Sequence, residues 1–267
     1  MMEKQTEKRI GVLDSGLGGL TLVREMERLL PDESVVYFGD NSNCPYGNRP
    51  EKEILELSIA MLDFLREKGV KAAAIACNTI STIAGRLRER YEFPIVSIIE
   101  AACENVAGMR LSKIAVFATE FTIRQGLYGK LLRRLRPETE VFGFPSRMLA
   151  ALIDSCRFDD SATETEVKSL LSALREAHPD VRHVLLGCTH YPIVQDLFEK
   201  SASDISFINP AQAQAAALKK LLSERGMLCE STQPGLDICT SGEKSLYEAA
   251  LKKLEIRREP KIEERHL

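Results

Sequence analysis

Two cysteines in this chain sit in matching surroundings. Cys77 ends the run Ala72-Ala73-Ala74-Ile75-Ala76 and leads into Asn78-Thr79; Cys188 ends Val184-Leu185-Leu186-Gly187 and leads into Thr189-His190. Each apolar run has the length of a buried strand, stops at a thiol, and is followed by hydrogen-bonding side chains. A free thiol titrates at about 8.5, and the start of a helix or a nearby cation lowers that value enough to make it a base. Each thiol is expected where such a helix begins. Two equivalent thiols lining one site from opposite sides suit the transfer of a proton from one face of a carbon to the other. His190, two residues past Cys188, reads as a partner for that thiol or as an ordinary packed histidine. A Cys-x-His pair also occurs in metal sites, but two ligands do not make one.

Two loops carry further candidates. Asp14-Ser15-Gly16-Leu17-Gly18-Gly19 follows a first apolar run and opens a helix. Its glycines expose backbone N–H groups beside a helix N-terminus, an arrangement that attracts anions. It lacks the Gly-Lys-Ser/Thr of a phosphate-binding loop and the spacing of a dinucleotide fingerprint. A tight turn capped by Asp14 is the simpler reading, yet a carboxylate at the end of a buried strand is costly without a task. The segment Asp40 to Gly47 reads first as a turn, with Gly47 offering an N–H and Tyr46 closing over a ligand. No lysine or arginine lies in these motifs. An anionic ligand would therefore be held by N–H groups and hydroxyls, and no lysine setting suggests pyridoxal phosphate.

Strands and helices must alternate to place these groups. Apolar runs at 10–13, 35–38, 72–76 and 95–98 alternate with helical patterns at 20–30, 51–68 and 81–91. A second cycle has strands at 114–118, 141–144, 184–187 and 205–208, with helices at 123–135, 149–156, 164–177 and 193–200. Then come a helix at 211–225, a strand at 236–240 and a helix at 243–254. This is an α/β fold, and the two cycles resemble each other: each opens on an apolar strand and each carries its thiol later, in the same order. Parallel α/β sheets bind ligands beyond the carboxyl ends of their strands, so both thiols are expected in one cleft between the units.

Composition narrows the class. The chain has 267 residues, 44% of them hydrophobic, enough for a large core and near the size at which one domain becomes two. Lys plus Arg number 36 against 39 Asp plus Glu, a net of −3, so no basic face invites nucleic acid. The polar start, Met1 to Arg9, lacks the apolar core of a signal peptide, and no apolar run reaches membrane-spanning length. A cytoplasmic protein without a membrane partner is expected. Seven cysteines with no C-x-x-C pair argue against a disulfide framework or a structural zinc site; Cys103, Cys156, Cys229 and Cys239 read as ordinary side chains, while Cys44, before Pro45-Tyr46-Gly47, is more open.

Together, Asp14-Ser15-Gly16-Leu17-Gly18-Gly19, Pro45-Tyr46-Gly47, Ala76-Cys77-Asn78-Thr79 and Gly187-Cys188-Thr189-His190-Tyr191-Pro192 resemble the glutamate racemases of the cofactor-independent aspartate/glutamate racemase superfamily. The resemblance spans Arg9 to Leu254 in the family's order. It implies two pseudo-symmetric parallel-sheet α/β domains with the active site in the cleft between them, residues 1–97 with 209–267 forming one and 98–208 the other. It implies interconversion of L- and D-glutamate without a cofactor or metal, supply of D-glutamate to peptidoglycan, and a homodimer. Cys77 and Cys188 would be the acid/base thiols, Asp14 assisting the first and His190 the second. Ser15, Tyr46, Gly47, Asn78, Thr79, Thr122 and Thr189 would bind substrate, with Asp14 and His190. The chain departs from the family at Gly143-Phe144-Pro145 and at Ile153-Asp154, where a Val-Glu pair is usual; Asp154 is then the candidate to support the histidine. Ala118-Thr119 and Ala101 are further departures. The alternatives are a racemase for aspartate or a hydantoin, and an α/β ligand-binding protein with inert thiols.

Overall fold

A computed structural model describes residues 8–229 and 233–267; the polar start of the chain, Met1 to Glu7, lies outside them. The strands are β1 (Ile10–Asp14), β2 (Val35–Gly39), β3 (Ala72–Ile75), β4 (Ile95–Ser97), β5 (Lys113–Thr119), β6 (Glu140–Ser146), β7 (His183–Leu186), β8 (Ser206–Ile208), β9 (Leu236–Thr240) and β10 (Pro260–Glu264). They form two parallel sheets, ordered β10-β9-β2-β1-β3-β4 and β6-β5-β7-β8. Stripped of β9 and β10, the first sheet repeats the second strand for strand: the opening strand lies between the second and third of its unit, and the fourth lies outside the third. The chain direction across the sheet reverses beside β1 and again beside β5, and such switch points leave a crevice beyond the carboxyl ends of the strands. Asp14 and Cys77 sit at the first crevice, Thr119 and Cys188 at the second.

The elements form for local reasons. Strands β1, β2 and β3 are buried along their whole length, so they read as continuous apolar runs rather than alternating ones. Alanines in β3 and Gly11 in β1 keep the sheet surface low; a Cβ on Gly11 would meet the Leu65 side chain at 2.9 Å, where the helix Glu51–Glu67 packs. Leu17, Leu20, Met26, Leu218 and Leu222 share one buried cluster with Leu186 and Tyr191, which joins the two sheets' surroundings.

Several boundaries differ from the sequence reading. A helix, Ile98–Met109, follows β4 at once, so Ile98 starts a helix instead of ending a strand. The expected helix over 81–91 is two short ones, Asn78–Ser81 and Ala84–Arg88, the first starting directly after Cys77. The helix expected over 123–135 is broken at Gly126, whose φ of 65° ends Glu120–Gln125 and starts Leu127–Leu135. Strand β10 is an edge strand with a proline and mostly charged side chains, a pattern without an apolar period. No helix among the described residues is long and apolar enough to cross a membrane.

Candidate active site

Cys77 and Cys188 each lie two residues beyond the third strand of their sheet, and both line one buried cavity of about 20 Å³. That volume holds about one water molecule. Ser15, Tyr46, Gly47, Asn78, Thr79, Thr189 and His190 share the wall, as do Cys44, Pro45, Thr119 and Ala150, which the sequence reading did not assign to it. Among the described residues no lysine or arginine lines it.

The two thiols have different neighbours. The Cys77 sulfur is 3.4 Å from Ser15 Oγ. Burial pushes this thiol up to about 12 and the Asp14 charge adds to the effect; the Ser15 hydroxyl and the Ile80 N–H pull the other way. The helix after Cys77 spans only Asn78–Ser81, so the expected lowering by a helix start is outweighed by desolvation in this closed site. The Cys188 sulfur is 3.7 Å from His190 Nδ1, and His190 Nε2 is 2.8 Å from Asp154 Oδ1. Burial alone would keep the imidazole neutral, but the hydrogen bonds to Asp154 and Cys188 and their charges raise it well above its ordinary 6.5. Asp154 is lowered in turn: burial opposes its charge, and the His190, Leu17 N–H and Asn41 hydrogen bonds prevail. Asp154 and His190 thus form a buried ion pair behind one thiol.

Asp14 stands behind the wall. Its Oδ1 accepts the Gly16 N–H at 3.0 Å and its Oδ2 accepts the Thr189 hydroxyl at 3.0 Å, and it is fully buried. Burial raises its carboxyl to about 6, partly offset by the His190 charge. Ser15 touches the Cys77 thiol, and Asp14 acts on it through charge.

The glycine loop departs from its sequence reading too. Its N–H groups serve the protein's own carboxylates, Gly16 donating to Asp14 and Leu17 to Asp154 Oδ1 at 3.1 Å. The helix Leu20–Leu29 begins after Gly19 with no side-chain cap, so Asp14 is not its cap. The glycines are needed for close approach. A Cβ on Gly18 would meet Thr189 Oγ1 at 2.6 Å and His190 Nδ1 at 2.7 Å, and one on Gly16 would collide with the Asp154 carboxylate.

At the other end of the cavity three hydroxyls from both sheets converge. Thr79 Oγ1 is 3.3 Å from Thr119 Oγ1 and 3.5 Å from Thr122 Oγ1, and the last two are 3.0 Å apart. Thr119 faces the cavity; Thr122 is buried beside it without lining it, because its N–H and hydroxyl both turn to Thr119, which caps that helix. Tyr46 donates its hydroxyl to Asp40 Oδ2 at 2.6 Å, so its ring, not its polar tip, closes the wall. The Tyr128 hydroxyl donates to Asn78 Oδ1 at 2.5 Å, leaving Asn78 Nδ2 as a buried donor with no partner among the described residues. Sequence reading missed Tyr128, whose helical spacing looks like that of any core aromatic.

The chemistry available is proton transfer at a small anion held by hydroxyls and amide groups. A further grouping lies beside this cavity: the ligand-capable atoms of Cys44, Asp154 and His190 all lie within 4.8 Å of one another, so His190 groups with Cys44 and Asp154 and not with Cys188 alone.

Comparison with known proteins bears on this site. Residues 10–218 match the family model described as Asp/Glu/Hydantoin racemase. The chain is 31% identical over 239 residues to a glutamate racemase of Limosilactobacillus reuteri, covering 89% of each. It is 34% identical over 225 residues to a glutamate racemase of Desulforudis audaxviator, covering 83% of this chain and 82% of that one. Among solved structures, a glutamate racemase isoform from Bacillus anthracis superposes with a TM-score of 0.90 at 30% identity over 98% of both chains. The Francisella tularensis glutamate racemase in complex with D-glutamate does so with a TM-score of 0.87 at 29% identity, again over 98% of both.

Proposed function

The chain belongs to the Asp/Glu/Hydantoin racemase family, and from that premise we propose that it interconverts L- and D-glutamate by proton exchange between Cys77 and Cys188. The observation that carries this reading is that two thiols on equivalent strands of two repeated sheets line one cavity. One thiolate takes the α-proton and the opposite thiol returns a proton to the other face. No bond other than C–H and S–H changes, so the products differ only in configuration.

The difficulty is the acidity of the α-carbon, far below that of a thiol. Preorganised donors aimed at the substrate carboxylate lower the barrier most, since they act on charge that develops in the transition state. The free Asn78 Nδ2 and the hydroxyls of Ser15, Thr79 and Thr119 are such donors, with the Gly47 backbone nearby. Exclusion of water strengthens each of them. The thiols are activated unequally. Cys188 faces the His190 imidazolium, which is held in place by Asp154, following the logic of an oriented base. Cys77, pushed up by burial, gains its cation from the substrate's own ammonium group, whose positive charge favours the anionic form. Asp14 and Thr189 fix the loop on which this meets.

We further infer residues 1–97 with 209–267, and 98–208, as the two domains, a homodimer as the assembly, and a cytoplasmic role in supplying D-glutamate to peptidoglycan. The test is racemisation in heavy water. Glutamate of either hand should take up α-deuterium, and Cys77→Ser or Cys188→Ser should lower the rate by about 10²–10⁴-fold, the typical contribution of a proton-transfer group. Unlabelled product, near-normal rates in both variants, or fast turnover of aspartate with little of glutamate would each sink the reading.

A further inference from the structure

Cys44 takes no part in the proton exchange, yet it sits against its machinery. It lines the site cavity with His190, and its sulfur, an Asp154 carboxylate oxygen and a His190 ring nitrogen all lie within 4.8 Å of one another. A thiol, an imidazole and a carboxylate are each ordinary zinc ligands, at about 2.3 Å to sulfur and about 2.0–2.2 Å to nitrogen and oxygen. A tetrahedral ion at those bond lengths holds its ligands about 3.5 Å apart, so Asp154 and His190, now 2.8 Å apart, part slightly while the Cys44 sulfur moves in.

We propose that Cys44, Asp154 and His190 form an inhibitory site for a thiophilic divalent cation of the zinc type. Three observations meet in it. The ion replaces the proton now shared between Asp154 and His190, 2.8 Å apart, and Cys44 binds as thiolate, its proton passing to solvent. The cavity of about 20 Å³ beside Cys44 and His190 has room for the single water of an open fourth position. There is also an access route: a cleft of about 570 Å³ on the far side of Asp154, lined by Ser241, Glu243, Glu264 and His266, reaches the carboxylate from solvent.

The consequence follows from where the ligands come from. Cys44 lies on the loop after β2, in the first sheet's unit, whereas Asp154 and His190 belong to the second. A bound ion therefore staples the two units together around a cavity too small for a substrate, and so opposes the opening that entry requires. It should stabilise the fold while stopping turnover, a combination that simple thiol poisoning does not produce.

The experiment uses Co²⁺ as a spectroscopic stand-in for Zn²⁺, on the full chain. The wild-type protein should develop a thiolate-to-cobalt charge-transfer band. The Cys77→Ser/Cys188→Ser double variant should retain it, and Cys44→Ser and Cys44→Ala, checked for native circular dichroism, should lose it. Zn²⁺ alone should raise the melting temperature of wild type and of the double variant. Either Cys44 variant should weaken that response by more than about 10–100-fold in Zn²⁺ concentration, the loss already seen when only a ligand's supporting partner is removed. A band that survives in the Cys44 variants, one that vanishes in the double variant, or none in wild type overturns the proposal. These readouts do not depend on racemisation, so they stand or fall apart from the proposed function.

Discussion

Asp14 and Asp154 show how one kind of side chain takes opposite electrostatic roles within a few ångströms. Asp154 is held ionised by a cation and two donors, while Asp14 has only an N–H and a hydroxyl against complete burial. A carboxyl moved from its ordinary 3.8 to about 6 is stabilising in its protonated form. That contribution is fully present below pH 3.8 and is lost as pH rises through about 6. It amounts to about 3 kcal/mol, at roughly 1.4 kcal/mol per tenfold change in proton affinity. Asp14→Asn should therefore gain stability relative to wild type between about pH 4 and 7 while racemisation falls; urea titrations across that range check it, and a constant difference would refute it. For Asp154 the expectation has the other sign. Asp154→Asn removes the partner that holds His190 charged, so the His190 midpoint should fall toward or below 6.5 and activity should drop about a hundredfold. With only four histidines in the chain, an NMR titration resolves that midpoint directly.

The turns and helices around the site are built for approach, and this is where single glycines matter. Gly18→Ala would drive a methyl into Thr189 and His190. It should cost about 1–3 kcal/mol as an overpacked site and lower kcat. Gly108→Ala, in the exposed part of the helix Ile98–Met109 with nothing within 4 Å, should instead stabilise by about 0.5–1 kcal/mol; paired melting curves separate the two. At this scale the sequence is informative where a buried run has a sharp polar end. The strands carrying the thiols were legible because an uninterrupted apolar run ends at a polar group. The helix Ile98–Met109 was not, because Ile98 and Ile99 continue the apolar run of β4 with no polar break. Strand β10 was hidden by its charges. The glycine loop was misread because Asp154, which takes its N–H group, lies 137 residues away in the chain. Cys44 and Tyr128 escaped for the same reason: what makes them notable is a partner across the cleft.

On the scale of the whole molecule, the two units meet in a latched state. The Asp154 carboxylate, from the second unit, accepts from Leu17 N–H and from Asn41 Nδ2 at 2.9 Å, both in the first. Asn41 is held in turn by the Tyr247 hydroxyl at 2.5 Å. A cavity of about 20 Å³ does not admit an amino acid, so the units must part before one enters. Opening should expose the latch in the free protein, so hydrogen exchange at the Leu17 N–H should slow on saturation with glutamate; exchange that glutamate leaves unchanged would mean that access does not require opening. The last strands give the architecture a direction in time. Strands β9 and β10 join the first sheet beside β2, and the Tyr247 hydroxyl, 3.1 Å from the Gly16 carbonyl, arrives with them. A ribosome makes the chain from the N-terminus, and units fold as their residues emerge. The sheet that carries Cys188 is then complete while the one that carries Cys77 still lacks its final pieces. Translation thus completes the later-made sheet before the earlier one, which waits for β9 and β10.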